Sequence, residues 1–394
     1  MSIISQYTHP DQFEPLLPQS RLDELRERSR TVLEQSYRLT AAAHPATIAV
    51  LRELVREMNS YYSNRIEGQH THPKRIAQAL RQDFSDKPDE AKLQRVALAH
   101  IQAEQELEAL GSAGAAPLST SFLKEAHQAL YGRLCVADRT TEDGRIVEPG
   151  KLRTEQVAVG RHEPPAFGAL PAFLARMDEV YLRRYPMDDQ LLLVAAAHQR
   201  AAWVHPFSDG NGRACRLQTH CALWPVSGGL WSVSRGLARQ RDRYYALLDA
   251  ADAPRHGDLD GRGNLSERAL RAWCEWFIEI CADQVEFMSR MLRLDEMKAR
   301  ITALVTYRAA MDKEIRKEAI VPLYHLFLAG PTPRGEFQQM TGLAPRTARK
   351  VLSRLLATGL VTSTGHTDPI RFALPLDALQ FLLPDLYPEA ATTL

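Results

Sequence analysis

Apolar residues recur at three- and four-residue intervals through one segment after another of this chain, and that spacing limits its fold more than any other feature. It predicts helices over 21–39, 46–67, 73–82, 89–110 and 119–134. A second series runs over 170–184, 188–204, 213–224, 236–251 and 266–285, the last continuing to about residue 308. Strand character is confined to Gln156-Val157-Ala158-Val159-Gly160, closed by Pro164-Pro165, and to two short runs at 360–362 and 370–374. The fold class is therefore mainly α, with a small β-hairpin in the middle of the chain. With 394 residues the chain has material for more than one domain. The pattern divides it into an N-terminal helical region (1–110), a central core (111–310) and a C-terminal domain (311–394).

Within the core, residues 205–216 read HPFSDGNGRACR and gather a base, a carboxylate, two glycines and two arginines in one loop. A glycine-rich turn presents backbone N–H groups as a concave anion site and lets a phosphate approach closely. If a helix begins near Gly212, its N-terminal N–H groups add to that site, and Arg213 and Arg216, three apart, share its face. Asp209 is a hard oxygen ligand suited to Mg²⁺. His205 has the side chain whose ordinary pKa lies near neutral, so it can take a proton from an attacking hydroxyl.

The whole string resembles the Fic-family signature HPFx(D/E)GNGRxxR and matches it at every specified position. The resemblance implies a helical core that binds ATP with Mg²⁺ and transfers AMP to a hydroxyl of a target protein, releasing pyrophosphate. By that resemblance His205 is the general base, Asp209 the metal ligand and Phe207 the anchor of the loop. Gly210, Asn211 and Gly212 form the anion hole, Arg213 meets the β-phosphate and Arg216 the γ-phosphate.

Upstream, SNRIEG spans residues 63–68 at the end of an apolar-periodic stretch. Ser63 and Glu67, four apart, share a helix face, and Gly68 follows as a C-cap. Taken alone, a glutamate before a glycine is a solvated helix end. The family's inhibitory motif, (S/T)xxxE(G/N), gives it another role: Glu67 pairs with Arg216 and removes the γ-phosphate partner. The hairpin around residue 160 falls where the family's flap lies, and strand edges there can align an extended peptide. The resemblance places Val159, Gly160, Arg161 and His162 beside the nucleotide. Tyr244 and Tyr245 lie on the helix that covers the adenine side. Asp252 stands where related proteins often carry asparagine.

After about residue 311 the pattern changes to helices at 320–329, 334–341 and 345–357 followed by the two short strands, the order of a winged helix-turn-helix domain. Arg346, Arg349, Lys350 and Arg354 cluster on its third helix, the position that enters the major groove in DNA-binding members. The charges elsewhere balance: 49 Lys and Arg against 48 Asp and Glu give a net +1, so no global field selects nucleic acid or membrane. Five cysteines, with no CxxC pair, form neither a disulfide framework nor a zinc site. No apolar run reaches bilayer length and no signal pattern opens the chain, so the expectation is cytoplasmic.

The leading expectation is an autoinhibited adenylyltransferase acting on a Ser, Thr or Tyr hydroxyl of a target protein, its own chain included. The alternatives are a hydrolase in which Glu67 orients water to remove AMP, and a DNA-binding regulator with a nucleotide-sensing core. Candidate partners are the target protein, a second copy of the chain and DNA through the winged helix.

Overall fold

The computed structural model describes residues 7–41, 44–141, 143–160 and 162–387, apart from the side chain of Leu294. Helices dominate. The N-terminal region contributes α1 (Leu22–Thr40), α2 (Pro45–Ile66), α3 (Pro73–Leu80) and α4 (Pro88–Ser112). Proline opens α2, α3 and α4, where its missing N–H costs nothing and its fixed φ suits the first turn. His44 and His72 precede two of these prolines and cap them, each ring accepting a hydrogen bond from a first-turn N–H at 3.1 Å.

The core follows as α5 (Thr120–Tyr131), α6 (Leu170–Tyr181), α7 (Gln190–Val204), α8 (Asn211–Ser227), α9 (Val233–Arg239), α10 (Arg241–Asp252) and α11 (Glu267–Met291). α7 and α8 pack side by side, with α5 and α4 on one flank and α11 on the other. Both are buried nearly all round, so each polar side chain they carry has to find its partner inside the bundle. Apart from the Trp203 indole N–H and Arg213 Nε, the buried side-chain polar groups on these helices have partners. His198 bonds Thr219 at 2.8 Å and the Tyr244 hydroxyl at 2.9 Å, and the Trp273 indole donates to the Ala195 carbonyl at 2.7 Å.

The expected single helix from 266 to about 308 is two. α11 stops at Met291, Arg293 is extended, and α12 (Leu294–Met311) sets off to pack against α13 (Ile320–Ala329) and a short α16 (Leu379–Leu382). No glycine or proline marks the break; Arg300 fixes it by donating to the Met291 carbonyl at 2.8 Å. α14 (Arg334–Met340) and α15 (Pro345–Ala357) follow α13. β1 (Val361–Thr362) and β2 (Arg371–Phe372) then pair antiparallel, with Val361 opposite Phe372.

This C-terminal region is packed on α2. Thr47 donates to the Phe327 carbonyl at 3.0 Å, Tyr62 donates to the Leu386 carbonyl at 3.0 Å, and the Tyr61 and Tyr387 rings meet edge to face. Among the described residues no helix is long and apolar enough to cross a membrane, and the five cysteines are free thiols.

The N-terminal segment before α1 is fastened to the core by a buried charge. Arg200 on α7 is 0% exposed; its Nε and Nη2 donate to the Pro15 carbonyl at 3.0 and 2.6 Å, and its Nη1 to the Ala251 carbonyl at 3.3 Å. Replacing it removes charge-assisted bonds and leaves buried carbonyls unpaired. Arg200→Ala is expected to lower the unfolding free energy by about 3 kcal/mol in urea titrations followed by tryptophan fluorescence. A loss under about 1 kcal/mol would show that the segment is held by packing alone.

Candidate active site

The loop between α7 and α8 is set by backbone constraints at both ends. α7 terminates at His205, which takes the left-handed conformation at φ 46°, an uncommon state for a side chain with a Cβ. Asn211 closes the loop from the other end: its amide donates to the Phe207 carbonyl and accepts from the Phe207 N–H, both at 2.9 Å. Phe207, fully buried, stacks on His127 at 4.0 Å between ring centroids. Gly210 precedes α8 at φ 74°, and a Cβ there would lie 2.2 Å from the Tyr131 ring. Only glycine satisfies both demands.

Burial pushes the His205 imidazole down to about 4, and the nearby His162 and Arg153 add to the effect. The ring is therefore neutral at physiological pH. A neutral imidazole has one N–H and one acceptor nitrogen.

Asp209 is half-buried and anchored through both oxygens: the Gly210 N–H donates to Oδ1 at 2.7 Å and the Tyr131 hydroxyl to Oδ2 at 3.3 Å. It lines a cavity of about 550 Å³ together with Glu67, Gln69, Tyr131 and Arg213. A carboxylate held on one side by neutral donors and open on the other to a cavity fits a hard divalent cation that keeps several waters. Arg213, nearly buried, donates to the Tyr131 hydroxyl at 2.7 Å and lies 3.4 Å from the Gln69 side-chain oxygen.

Glu67 and Arg216 meet although they stand 149 residues apart. Arg216 is buried on α8 and donates Nη2 to Glu67 Oε1 at 2.5 Å, Nε to the Ser63 hydroxyl at 2.9 Å and Nη2 to the Ser63 carbonyl at 3.2 Å. Burial raises the Glu67 carboxyl, but Arg216, Arg213 and Arg241 outweigh it and hold the group ionised below its usual value. A Cβ on Gly212 would come within 2.5 Å of the same Glu67 oxygen. The carboxylate thus rests against the first turn of α8, on its positive end.

The flap is shorter than its sequence predicts. Val159 and His162 form one antiparallel bridge around Gly160, at φ 60°, and residues 156–158 are not in a strand. Pro164 and Pro165 have no N–H to extend a ladder, and side chains take the carbonyls that remain: Gln156 bonds the Pro164 carbonyl at 2.8 Å and Arg153 bonds that of Pro165. Arg161 lies outside the described residues. His162 does not face outward; its Nε2 donates to the Trp203 carbonyl at 2.7 Å, and its Nδ1 lies 3.9 Å from Asp252. Val159 is exposed.

Tyr244 and Tyr245 part company. Tyr244 is buried with its hydroxyl on His198, whereas Tyr245 is 41% exposed and donates to the Ile66 carbonyl at 3.2 Å, beside Arg241. Asp252 accepts from Gln199 at 2.8 Å, and burial, with Asp249 nearby, pushes its carboxyl up to about 7.

Sequence reasoning gave no role to three residues that hold the site together. Arg153 bonds the His205 carbonyl at 2.9 Å while its own N–H donates to the Pro206 carbonyl at 2.9 Å, so one buried guanidinium fastens flap to loop. His127 accepts from the Gly150 N–H at 2.9 Å and donates to the Asp209 carbonyl at 3.1 Å. Tyr131 touches both Asp209 and Arg213. None stands in a motif; their helical or loop neighbours give no periodic cue that separates them from ordinary surface or core residues.

Residues 117–223 match the Fic/DOC family. Over these residues the chain is similar to Fic/DOC-family domains. The chain is 32% identical over 114 residues to a protein named Protein adenylyltransferase Fic from Drosophila willistoni, covering 29% of this chain and 22% of that one. A protein of the same name from Nematostella vectensis is 33% identical over 116 residues, covering 29% and 25%. The chain thus spans about a quarter of the length of these curated relatives. A crystal structure of a Fic family protein from Desulfovibrio desulfuricans G20 superposes with a TM-score of 0.51 at 15% identity, over 88% of this chain and 96% of that one. A Fic domain containing signaling protein from Bacteroides thetaiotaomicron gives 0.50 at 15% identity, over 66% and 95%. At that identity the likeness concerns the fold. Ser63 and Glu67 lie before the matched segment, which ends in the last turns of α8.

The depressed imidazole of His205 can be read directly. In histidine-labelled protein its ring resonances should stay those of the neutral form from pH 8 down to about 5.5 and titrate near 4. A midpoint near the ordinary 6.5 would mean that the ring is solvated rather than enclosed.

Proposed function

We propose that this chain is a protein adenylyltransferase restrained by its own Glu67. The contact of Glu67 with Arg216 and the first turn of α8 carries the reading, because an ionised carboxylate there occupies positive groups suited to a phosphate oxygen. The names of the curated relatives support AMP as the group transferred.

In this reading ATP lies with its phosphates over the N-terminus of α8, held by Arg213 and, once Glu67 withdraws, by Arg216. Asp209 would hold Mg²⁺, which supplies charge neutralisation at the phosphates when bound. His205, neutral through burial, takes the proton of the target's Ser, Thr or Tyr hydroxyl. The freed oxygen bonds to the α-phosphorus as the bond to the bridging oxygen of the β-phosphate breaks, and pyrophosphate leaves. Arg153 keeps the His205 carbonyl fixed while the short flap at Val159 and Gly160 offers main-chain groups to the incoming segment. Tyr245, exposed beside Arg241, is the aromatic surface available for the adenine end.

The same carboxylate supports a second reading. Glu67 shares its cavity with Asp209 and Arg213, a position from which it can orient water toward an AMP-modified side chain. Release of AMP from purified modified target would select hydrolysis.

For the C-terminal region we propose a winged helix used for protein contact. Arg354 already pairs with Asp312 at 2.5 Å, which reduces the basic face of α15 to Arg346, Arg349 and Lys350. Fluorescence anisotropy with duplex DNA at physiological salt should show no binding; saturable binding that weakens steeply with salt would assign the helix to DNA.

The principal test is Glu67→Gly. With ATP and Mg²⁺ its AMP transfer, read by mass spectrometry of a treated lysate, should rise by on the order of tenfold or more over the parent. Adding His205→Ala should then cost on the order of 10²-fold or more. Equal labelling by parent and Glu67→Gly would remove the inhibitory role, and full activity in the double variant would remove the base.

A further inference from the structure

Behind the Glu67 contact, three helices enclose a second polar cluster that the proposed reaction does not use. Glu104 and Glu108 on α4 and His220 on α8 are each more than nine-tenths buried, and one ligand atom from each lies within 4.8 Å of the others. His220 Nε2 is 3.0 Å from Glu108 Oε1 and 3.5 Å from Glu104 Oε1. Ligand atoms about 2.1 Å from a tetrahedral metal stand about 3.4 Å apart, and the two His220 separations bracket that value.

A second observation points the same way. His100 precedes Glu104 by one turn on α4, so residues 100, 104 and 108 share a face. Its imidazole is buried, neither ring nitrogen has a hydrogen-bond partner, and Nδ1 lies 3.9 Å from Glu104 Oε2. A buried ring bonded through neither nitrogen is costly, and a metal ion is a partner that would use it. The surroundings have the form of an outer shell. Arg56 holds the other oxygen of Glu108, with Nε at 2.8 Å and Nη2 at 2.7 Å, leaving Oε1 to the cluster. The Asn59 amide stands 3.3 Å from His220 Nδ1, and its Oδ1 is without a partner. The same amide donates to Glu104 Oε1 at 2.7 Å, which orients that carboxylate within the cluster.

We propose that Glu104, Glu108 and His220, with the unpartnered His100 ring beside Glu104, form a structural site for a zinc-type divalent cation that ties α4 to α8. Buried imidazole and carboxylate ligands away from water suit Zn²⁺ or Co²⁺ and not Mg²⁺, which keeps its waters. The site lies under α2. Asn59, Ser63 and Glu67 follow one another by single turns, against His220, Arg216 and Gly212 on α8, so an ion here fixes the surface on which the Glu67 helix rests.

The test uses untagged full-length protein produced in medium supplemented with zinc or with cobalt. About one equivalent of metal per chain should survive dialysis and be released only on unfolding. The cobalt protein should show the strong visible bands of four-coordinate Co²⁺. His220→Ala, and separately Glu104→Gln with Glu108→Gln, should lose at least about tenfold of the metal content. Wild-type protein with no bound metal, octahedral cobalt bands, or metal retained in full by both variants would each overturn the site. The parent's cobalt spectrum decides the matter even where a variant does not fold.

Discussion

A guanidinium buried between two helices must find its partners there, and Arg216 organises this structure because it finds them on α2. The cost of taking its charge out of water is recovered only with good geometry and full hydrogen bonding. Ser63 supplies a hydroxyl and a carbonyl, and Glu67 supplies the opposite charge. Removing any of them leaves an arginine that water cannot reach. α2 is therefore seated on α8 by an electrostatic requirement as well as by its apolar face, and the carboxylate lands on the N-terminal turn because the spacing of 63 and 67 equals that of 212 and 216.

The loop before α8 is rigid for a different reason. His205 in a left-handed conformation, Gly210 pressed on Tyr131 and the reciprocal Asn211–Phe207 pair over-determine the backbone from both ends. Strain of this kind persists only where the surroundings impose it, and Arg153 and His127 are the surroundings. The imidazole is kept neutral by the enclosure that fixes it, so position and protonation state have one cause.

The C-terminal region shares this arrangement. Tyr387 and the Leu386 carbonyl meet α2 at Tyr61 and Tyr62, so the helix that ends at Glu67 is held between the central core and the C-terminal region beyond residue 311.

Much of this was legible in the chain itself. Periodicity located α1 to α5 to within a few residues, and the contiguous run from His205 to Arg216 named the loop chemistry, because those groups are neighbours in sequence and a short loop keeps neighbours together. The spacing of Ser63 and Glu67 gave their common face. What the chain could not state was which long-range partners these groups meet in the fold: the break at Leu292 carries no glycine or proline, Arg153 reads like any other arginine, Tyr244 and Tyr245 are adjacent yet one is core and one is surface, and the Val159 hairpin shrank to a single bridge once side chains took its carbonyls. Local sequence determines backbone preference and which side chains share a face. Burial and the identity of distant hydrogen-bond partners depend on how the helices pack, so only the tertiary structure decided them.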